Sequence, residues 1–296
     1  MGDATARDVG EFGLIAAVTA RLPLTDAVLL GPGDDAALVS VPDGRVVATT
    51  DVLVEGVHFR RDWSSGYDVG RKAAAANLAD VAAMGGVGTA LLVGLAAPPD
   101  LPVQWALDLA DGLRDECALV GAAVVGGDTV TADQVVVSVT ALGRVERVVT
   151  RAGARPGDLV VVAGRLGHSA AGLRLLQQGV REGPLVDAHR RPVPPYAAGP
   201  LLSSAGATAM CDVSDGLVQD AGHLATASGV RIDLDSAALA DPDVDLADVL
   251  SGGEDHALVA TVPHRVEGCR VIGRVTEGAG VTLDGAPVEG GWSHFR

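Results

Sequence analysis

The sequence predicts an α/β (α+β) protein of two domains, and three observations lead to that prediction. Short apolar, β-branched runs alternate along the chain with segments whose apolar residues recur at helical spacing. A segment rich in turn formers and arginine, residues 150–158 (TRAGARPGD), divides the chain near its middle, and a new apolar run follows it directly. The length of 296 residues, with 48% hydrophobic content, is sufficient for two cores of ordinary size.

The first half, residues 1–146, is predicted to form one α/β domain. Phe12, Ile15, Val18 and Leu22 recur at helical spacing and predict an opening helix from about residue 9. The other expected elements are strands at 27–30, 45–54, 89–96, 122–125 and 134–145 and helices at 67–84 and 102–120. The strand segments are rich in valine, whereas the helical segments are rich in alanine, leucine and aspartate, which agrees with their different conformations.

The second half, residues 147–296, is predicted to form another domain that mixes helices and strands. Its first strand starts directly after the turn-rich segment, and a glycine-rich tail ends the chain. The expected elements are strands at 159–164, 229–234, 256–262 and 270–275 and helices near 169–178 and 215–228.

Charge excludes several classes of partner. The chain has 38 acidic and 22 basic residues, a formal net charge of −16, which opposes binding to a nucleic-acid backbone or to an anionic membrane. Lys72 is the only lysine, and no Gly-Lys pair is present to form a P-loop of the Walker A type. An anionic substrate must therefore be accompanied by cations.

Cysteine usage and the N-terminal segment favour a reducing, cytoplasmic location. Cys117, Cys211 and Cys269 are odd in number and widely spaced among apolar residues, which favours free thiols over disulfides or a zinc site. The N-terminal segment has no basic stretch followed by an apolar one, and no apolar run approaches the ~18 residues of a membrane span.

The segment GPGDDA at 31–36 nearly matches the G-x-G-x-x-G fingerprint of dinucleotide-binding loops. That fingerprint needs a following helix whose N-terminus binds the pyrophosphate, but here β-branched residues and a Pro-Asp-Gly turn follow. Asp34 and Asp35 would also face phosphate oxygens, and each like-charge pair at 4 Å costs about 4 kcal/mol at an effective dielectric constant of 20. The segment is instead interpreted as a loop that brings carboxylates to a hard cation such as Mg²⁺, with a solvated turn as the alternative.

Aspartate beside glycine, serine or threonine recurs where apolar runs end. The positions are Thr49, Thr50 and Asp51 in one run, Asp128 in a second, and Asp212, Ser214 and Asp215 in a third. Each position alone is also compatible with an Asx turn or, for Asp215, with a helix cap. Together they predict one acidic site assembled from several strands.

Asp80 lies on the apolar stripe of the helix predicted over 67–84. Its neighbours at helical spacing include Ala76 and Asn77, so a carboxylate faces the core, where a charge needs a partner. A salt bridge to Lys72 or to an arginine is one interpretation, and a metal ion is the other. Because the acidic residues are many and the P-loop lysine is missing, the sequence points to metal-bridged phosphoryl transfer.

Eight short motifs extend over nearly the whole chain. They are GPGDDAALV, TTDVLVEGVHF, AANLADVAAMGG, GGDT, TRAGARPGD, GHSAAGL, DVSDGL and SGGEDH. In order and spacing they resemble the thiamine-monophosphate kinase family, whose superfamily includes aminoimidazole-ribonucleotide synthetase and selenophosphate synthetase. The resemblance implies two domains of the aminoimidazole-ribonucleotide-synthetase-like fold, the first a mixed-sheet ATP- and Mg²⁺-binding domain, and a homodimer whose N-terminal strands pair across the interface.

The resemblance also implies an activity and its site residues. ATP would donate its γ-phosphoryl group to thiamine monophosphate and give thiamine diphosphate, with several Mg²⁺ ions as cofactors. The implied Mg²⁺ ligands are Asp35, Thr49, Thr50, Asp51, Asp80, Asp128, Asp212 and Asp215. The implied contacts are Gly127, Asp128, Arg151 and Ser214 to ATP, and His58, Glu254 and Trp292 to thiamine monophosphate. No general base is expected, because the acceptor phosphate is largely ionised at pH 7.

Two departures from the family concern the substrate contacts. His256 and Ala257 stand where family members commonly have Tyr-Glu, and Trp292 stands where a tyrosine is common. Without the resemblance, Trp292 is interpreted as a packing residue. Arg151 is then interpreted either as a phosphate contact or as a surface residue at the domain boundary.

Other functional classes match the residues less well. The GHSAA segment departs from a serine-hydrolase elbow at Ala171, and Ser169 is expected to cap a helix instead. RIDLDSAA has Ala237 where aspartyl phosphatases need threonine. A calcium loop starting with DPDVDL at residue 241 would need glycine and glutamate at the positions that Leu246 and Gly252 occupy. A synthetase of the same superfamily that activates an amide oxygen, and a non-catalytic nucleotide sensor, are the remaining alternatives to a kinase.

Overall fold

Two mixed β-sheets with packed helices form the part of the chain that the computed structural model describes, residues 28–30, 34–41 and 44–292. The predicted opening helix, residues 9–22, and the glycine-containing segment 31–33 lie outside these ranges. Within the described residues, no helix is long and apolar enough to cross a membrane.

The N-terminal sheet has six strands in the described residues, in the order β1-β2-β3-β6-β4-β5. They are β1 (Val28–Leu30), β2 (Ala37–Val41), β3 (Gly44–Val54), β4 (Val87–Ala97), β5 (Ala123–Thr131) and β6 (Val136–Arg144). Neighbouring strands are antiparallel except β4 and β5, which are parallel. Helix α2 (Val103–Ala118) connects these two strands, as a parallel crossover requires. β5 ends the described sheet, and its residues are exposed.

Helix α1 (Gly66–Ala83) packs between the N-terminal sheet and α2. A capping box begins it, because Ser65 accepts a hydrogen bond from the Asp68 backbone N–H and the Asp68 side chain accepts one from the Ser65 backbone N–H. Most residues of α1 are buried, since its alanines allow elements to approach on several sides. This helix therefore belongs to the interior of the molecule.

Helices α1 and α2 touch through glycines. A Cβ atom on Gly70 would lie 2.2 Å from the Leu109 carbonyl oxygen, and one on Gly112 would lie 2.2 Å from that of Tyr67. Real Cβ atoms do not approach backbone oxygens so closely, so only glycine permits this contact. The close packing of α1 against α2 therefore depends on glycine at these positions.

The C-terminal sheet has seven described strands in the order β13-β12-β9-β11-β7-β10-β8. They are β7 (Leu159–Ala163), β8 (Ala209–Val213), β9 (Arg231–Leu234), β10 (Ala257–Val262), β11 (Arg270–Thr276), β12 (Gly280–Leu283) and β13 (Ala286–Pro287). The helices are α3 (His168–Gln177), α4 (Pro184–Arg190), α5 (Ala198–Ser204), α6 (Leu217–Ser228), α7 (Ser236–Leu239) and α8 (Leu246–Ser251). All strand pairs are antiparallel except β9 with β12.

The end of α1 joins the two halves. Ala82 and Ala83 are buried in one apolar cluster with Leu202 of α5, Met210 of β8 and Leu258 of β10. The same helix contributes Val69, Ala73 and other residues to the core of the N-terminal sheet. A single helix thus packs in both cores and forms their junction.

The predicted fold class is confirmed, and the predicted elements of the second half agree with the structure within one or two residues. The strand predicted at 122–125 is too short, because β5 continues to Thr131 and contains Asp128. Likewise Asp51 lies inside β3 rather than after a strand. Asp51 and Asp128 do not end β3 and β5, because the backbone groups around them are paired with the neighbouring strands β6 and β4. The boundary between residues 146 and 147 stays a prediction, with β6 ending at Arg144 and β7 beginning at Leu159.

We expect Gly70→Ala to lower the free energy of unfolding by about 2–3 kcal/mol, because the new methyl group must push α2 away. Gly222→Ala is the matched control, since Gly222 also lies in a helix, α6, but its nearest foreign atom would be 3.8 Å from the added Cβ. That control should be neutral or stabilising by about 0.5–1 kcal/mol. Urea denaturation of both variants measures the difference, and equal stabilities would contradict the close helix contact.

Candidate active site

A cavity of about 690 Å³ opens between the two halves of the molecule. Helix α1 and strand β3 form one side, and loops that follow β8 and precede β10 form the other. The residues that carry chemistry there are Thr50, Asp51, His58, Lys72, Asp80, Ser169, His189, Asp212, Ser214, Asp215, Glu254, His256 and Trp292. The cavity therefore brings together most of the candidates from the sequence, which come from distant parts of the chain.

Four aspartates from four different segments are called the acidic cluster here. Three of them, Asp51, Asp80 and Asp212, line one end of the cavity, and Asp35 lies behind them. Asp35 precedes β2, Asp51 lies in β3, Asp80 in α1 and Asp212 in β8. Asp35 and Asp212 are buried, and the other two are half-buried. Within the described residues, however, no three His, Cys, Asp or Glu side chains form a preassembled metal centre.

Burial and nearby carboxylates raise the pKa values of three members of the acidic cluster, Asp35, Asp51 and Asp80. Burial is the main cause for Asp80, whose pKa lies well above its usual value, and the charges of Asp51, Asp212 and Asp35 raise it further. Burial also raises the pKa of Asp51. It raises the pKa of Asp35 to about 7, although the Arg151 guanidinium opposes this shift. Burial and neighbouring carboxylates therefore oppose ionisation at these three positions.

Two side chains, Arg151 and His256, supply positive charge to the acidic cluster. Arg151 donates to Asp35 Oδ1 through Nε, at 3.1 Å, and through Nη2. Its side chain is only 23% exposed, so its interpretation as a surface residue is wrong. His256 Nδ1 lies 2.9 Å from Asp212 Oδ2. Burial lowers the pKa of His256, but Asp212 and Asp51 outweigh this effect and raise it.

Two threonine hydroxyl groups of β3 and one carboxylate oxygen of Asp35 belong to the surroundings of the acidic cluster. Thr49 Oγ1 donates to Asp80 Oδ2 at 2.7 Å, and Thr50 Oγ1 donates to the Val139 carbonyl at 2.9 Å. Asp35 Oδ2 is buried without a hydrogen-bond partner among the described residues. An unpaired carboxylate oxygen beside further aspartates matches the preference of Mg²⁺ for oxygen ligands.

The salt bridge that the sequence left open for Asp80 does not form. Across residues 28–30, 34–41 and 44–292, Asp80 has no ion pair with lysine or arginine. Lys72 instead pairs with Glu254 at 3.0 Å, two helical turns away from Asp80. Lys72 and Asp80 do not pair because they are two turns apart on α1, so that their side chains lie near opposite ends of the cavity.

The loop after β8 binds the backbone of two candidate substrate contacts, Glu254 and Trp292, through its carbonyl oxygens. The Glu254 backbone N–H donates to the Ser214 carbonyl at 2.8 Å, and the Trp292 N–H donates to that of Asp215 at 3.0 Å. Asp215 does not cap α6, since Gly216 is the N-cap and no side chain caps that helix. The Asp215 N–H donates to the Asp220 side chain instead. The capping interpretation is therefore wrong.

Two other candidates, Gly127 and Asp128, lie away from the cavity. They are exposed residues of β5, which β6 and β4 separate from β3. With strands about 4.8 Å apart, β5 lies about 14 Å from β3. Through β4 and β6, Asp128 is in register with Val52, the residue after Asp51, so the two aspartates point to opposite faces of the sheet.

His58 lines the cavity and lies in the turn that follows β3. Its Nδ1 accepts a hydrogen bond from the Val54 N–H at 3.0 Å, which leaves the proton of the neutral ring on Nε2. Its carbonyl oxygen accepts a hydrogen bond from Lys72 Nζ at 3.1 Å. The turn that follows β3 thus fixes both the ring and the backbone of this residue.

Sequence reasoning missed the polar residues around Glu254. Ser169 does not cap α3; its hydroxyl lies 3.0 Å from His189 Nδ1, and Asp255 accepts from the Gly167 and Ser169 N–H groups at 2.6 and 2.9 Å. The prediction that Ser169 caps a helix is therefore wrong. The one sequence signal for these contacts was that Lys72 is the only lysine of the chain.

Comparisons with known proteins identify the family. Residues 33–145 match the AIR synthase related protein N-terminal domain, and residues 155–285 match the C-terminal domain of the same description. Thiamine-monophosphate kinase of Mycobacterium tuberculosis H37Rv is 48% identical over 310 aligned residues, covering 98% of this chain and 93% of that protein. The chain belongs to the thiamine-monophosphate kinase family. The Aquifex aeolicus member of the family is 38% identical over 98% of this chain and 99% of that protein. Membership of this family makes the protein a kinase.

Solved structures agree with membership of the thiamine-monophosphate kinase family. A structure described as AaThiL complexed with AMPPCP and TMP has a TM-score of 0.91 and 37% identity and covers 99% of both chains. Thiamine monophosphate kinase from Aquifex aeolicus has a TM-score of 0.85 at 36% identity, with 97% of this chain and 100% of that one covered. The hydrogenase maturation protein HypE in complex with ATP, at 17% identity and a TM-score of 0.68 over 90% of this chain and 89% of that one, shares the fold alone.

The raised pKa of Asp35 predicts a pH-dependent stability. Its folded value of about 7 exceeds the ordinary value of 3.8, so its stabilising contribution is complete below pH 3.8 and is lost as the pH rises through 7. We expect the melting temperature to fall by a few degrees between pH 5 and pH 8 in the absence of ligands.

The variant Asp35→Asn should show a smaller fall over the same pH range, because no ionisable group remains at that position. Asp133→Asn, at an exposed turn, is the control and should keep the wild-type slope. Calorimetric melting at several pH values measures all three proteins, and identical slopes for wild type and Asp35→Asn would contradict the prediction.

Proposed function

We propose that the protein transfers the γ-phosphoryl group of ATP to thiamine monophosphate and releases thiamine diphosphate and ADP. The observation that carries the proposal is the acidic cluster at one end of a cavity, in a chain 48% identical to a thiamine-monophosphate kinase. A strongly acidic protein without a P-loop lysine binds polyphosphate only through divalent ions. The relative solved with bound AMPPCP and TMP supports this pair of substrates.

Magnesium fits the residues at the acidic end. Burial and neighbouring carboxylates raise the pKa values of Asp35 and Asp80, and Asp35 Oδ2 is a buried oxygen without a hydrogen-bond partner among the described residues. Absence of a preassembled metal centre is consistent with magnesium, which is usually held by one or two carboxylates together with water and substrate phosphates. The proposed ligands are Asp35, Thr49, Thr50, Asp51, Asp80, Asp212 and Asp215, with Asp128 contributed as argued below.

In this mechanism the chain orients two anions for in-line transfer. Bound magnesium ions would neutralise the phosphates of donor and acceptor and align them. Arg151, with Ser214, is positioned beside the acidic cluster to contact the ATP phosphates. Trp292 and His58 line the cavity and are proposed to contact thiamine monophosphate. No side chain removes a proton, because the attacking phosphate oxygen is already ionised.

A homodimer explains where Asp128 lies. β5 presents exposed valines, Val124, Val125 and Val130, at the end of the described sheet, and an exposed apolar strand of this length is usually covered by a partner. We infer that the N-terminal sheets of two subunits pair here. Asp128 and Gly127 of one subunit would then complete the acidic end of the other, since they are far from the acidic cluster of their own chain.

The activity is tested by incubating the protein with ATP, Mg²⁺ and thiamine monophosphate and separating the products by chromatography. We expect equal amounts of thiamine diphosphate and ADP, loss of both after chelation, and recovery on adding Mg²⁺. ADP without thiamine diphosphate would favour another synthetase of the superfamily, and no ADP at all would favour a nucleotide sensor.

The substitution Asp51→Ala should lower kcat at least about 100-fold, because it removes charge that binds the ions next to the reacting phosphates. Its melting temperature should not fall, since a repelled carboxylate is lost from the acidic cluster. Asp100→Ala, at an exposed turn, is the control and should keep wild-type kcat. Near-normal turnover of the Asp51 variant would defeat the assignment.

Mixed dimers test whether Asp128 acts in the partner's site. Asp51→Ala and Asp128→Ala should each be inactive alone. After the two are unfolded and refolded together, half the dimers are mixed, and each mixed dimer has one intact site, so about a quarter of wild-type activity should return. If Asp128 served its own subunit, the mixture would stay inactive.

A further inference from the structure

The end of the cavity opposite the acidic cluster holds a polar network that phosphoryl transfer does not use. Lys72 Nζ donates to Glu254 Oε2 at 3.0 Å. His189 Nδ1 lies 3.7 Å from the same Glu254 oxygen and 3.0 Å from Ser169 Oγ. These four residues, called the Lys72 network here, are separated along the chain by up to 182 residues but line one end of one cavity.

Helix α1 sets the distance between the two ends of the cavity. Lys72, Ala76 and Asp80 line the cavity at successive four-residue steps. At 1.5 Å per residue, Lys72 and Asp80 are about 12 Å apart along the helix axis. Ala76, between them, has a small side chain and leaves the space open. A substrate with its phosphate at the acidic end therefore extends its other end toward the Lys72 network.

The surroundings of Glu254 keep its carboxylate ionised. Burial opposes ionisation, but the positive charge of Lys72 and its hydrogen bond outweigh this effect and lower the pKa of Glu254. Burial, followed by the nearby charge of Lys72, lowers the pKa of His189 to about 3, so its ring is neutral. The network thus presents a carboxylate acceptor that is about one-third exposed in the cavity.

The backbone also holds Glu254 in an unusual conformation. Its φ of +66° is in the left-handed region, which is costly for a residue other than glycine. Hydrogen bonds from the Glu254 N–H to the Ser214 carbonyl, 2.8 Å, and from the His256 N–H to that of Val213, 3.0 Å, offset this cost. Strain that neighbouring bonds maintain is typical of a side chain whose direction matters for function.

We propose that Lys72 and His189 are positioning residues that hold the Glu254 carboxylate as a hydrogen-bond acceptor, and that they thereby select a 4-aminopyrimidine substrate over its 4-oxo counterpart. The inference rests on the proposed function. The pyrimidine of thiamine presents an amino donor at position 4, which a carboxylate accepts. The 4-oxo analogue presents an oxygen there, which faces the carboxylate with no hydrogen bond and with repulsion.

The first test compares thiamine monophosphate with oxythiamine monophosphate, its 4-oxo analogue, by ADP release. Wild type should favour the amino substrate at least about 100-fold in kcat/KM. Lys72→Met should reduce that ratio below about tenfold, mainly by raising KM for thiamine monophosphate, while KM for ATP stays within about twofold. Glu254→Gln should reduce the ratio in the same way, because its amide both donates and accepts.

His189 supplies a conservative rescue. His189→Asn keeps a polar atom near the position of Nδ1 and should retain more of the discrimination than His189→Leu, which removes the hydrogen bond to Ser169. A ratio that stays at the wild-type value in Lys72→Met and His189→Leu, with both substrates slowed equally, would show a merely structural role and overturn the proposal.

The second test uses wild-type protein and does not depend on the folding of a variant. Because Lys72 is the only lysine, protein labelled with ¹³C at lysine Cε gives one lysine signal in an NMR spectrum. Thiamine monophosphate should shift this signal, whereas inorganic phosphate with Mg²⁺ should leave it in place. An unmoved signal at saturating thiamine monophosphate would refute the inference. Absence of turnover would refute only the proposed function, since the signal still reports binding at this end.

Discussion

Uncompensated negative charge in the acidic cluster is the constraint on which the rest of the structure depends. Asp35, Asp51, Asp80 and Asp212 approach one another only because two sheets and α1 converge, and Arg151 and His256 neutralise part of their charge. Repulsion of this kind lowers the stability of the empty protein, as in many sites arranged for ligands. Two apolar cores on either side stabilise the arrangement. In the proposed function, counter-ions of a polyphosphate would relieve the repulsion.

Local patterns in the sequence were sufficient for the fold class and for most of the acidic residues that line the cavity. Alternating apolar runs and helical periodicity depend on near neighbours, so the elements that were predicted in the second half agree closely with the structure. The short helices α4, α5, α7 and α8 and the strands β12 and β13 were not predicted, because they have too few residues to show a period. Asp80 stood out because a carboxylate on the apolar stripe of a helix must have a special partner. The identity of the acidic residues therefore followed from residue type and position within an element.

Contacts that depend on register or on distant segments could not be predicted in this way. Lys72 and Glu254 are 182 positions apart, and no local pattern connects them. The pairing of β5 with β4 decides that Asp128 and Asp51 lie on opposite sheet faces, and sequence spacing does not fix that pairing. Ser169 contacts His189 because α3 and α4 pack together, so its resemblance to a helix cap was misleading.

The placement of Lys72, Ala76 and Asp80 on a single helix has an evolutionary consequence. An insertion or deletion of one residue between them would rotate Asp80 by 100° relative to Lys72 and shift it by 1.5 Å, which would turn it out of the cavity. Surface loops of this chain can change length freely over generations, whereas the eight-residue interval within α1 cannot. Descendants of this gene can therefore alter what each end of the cavity binds, but they inherit a fixed span between the ends.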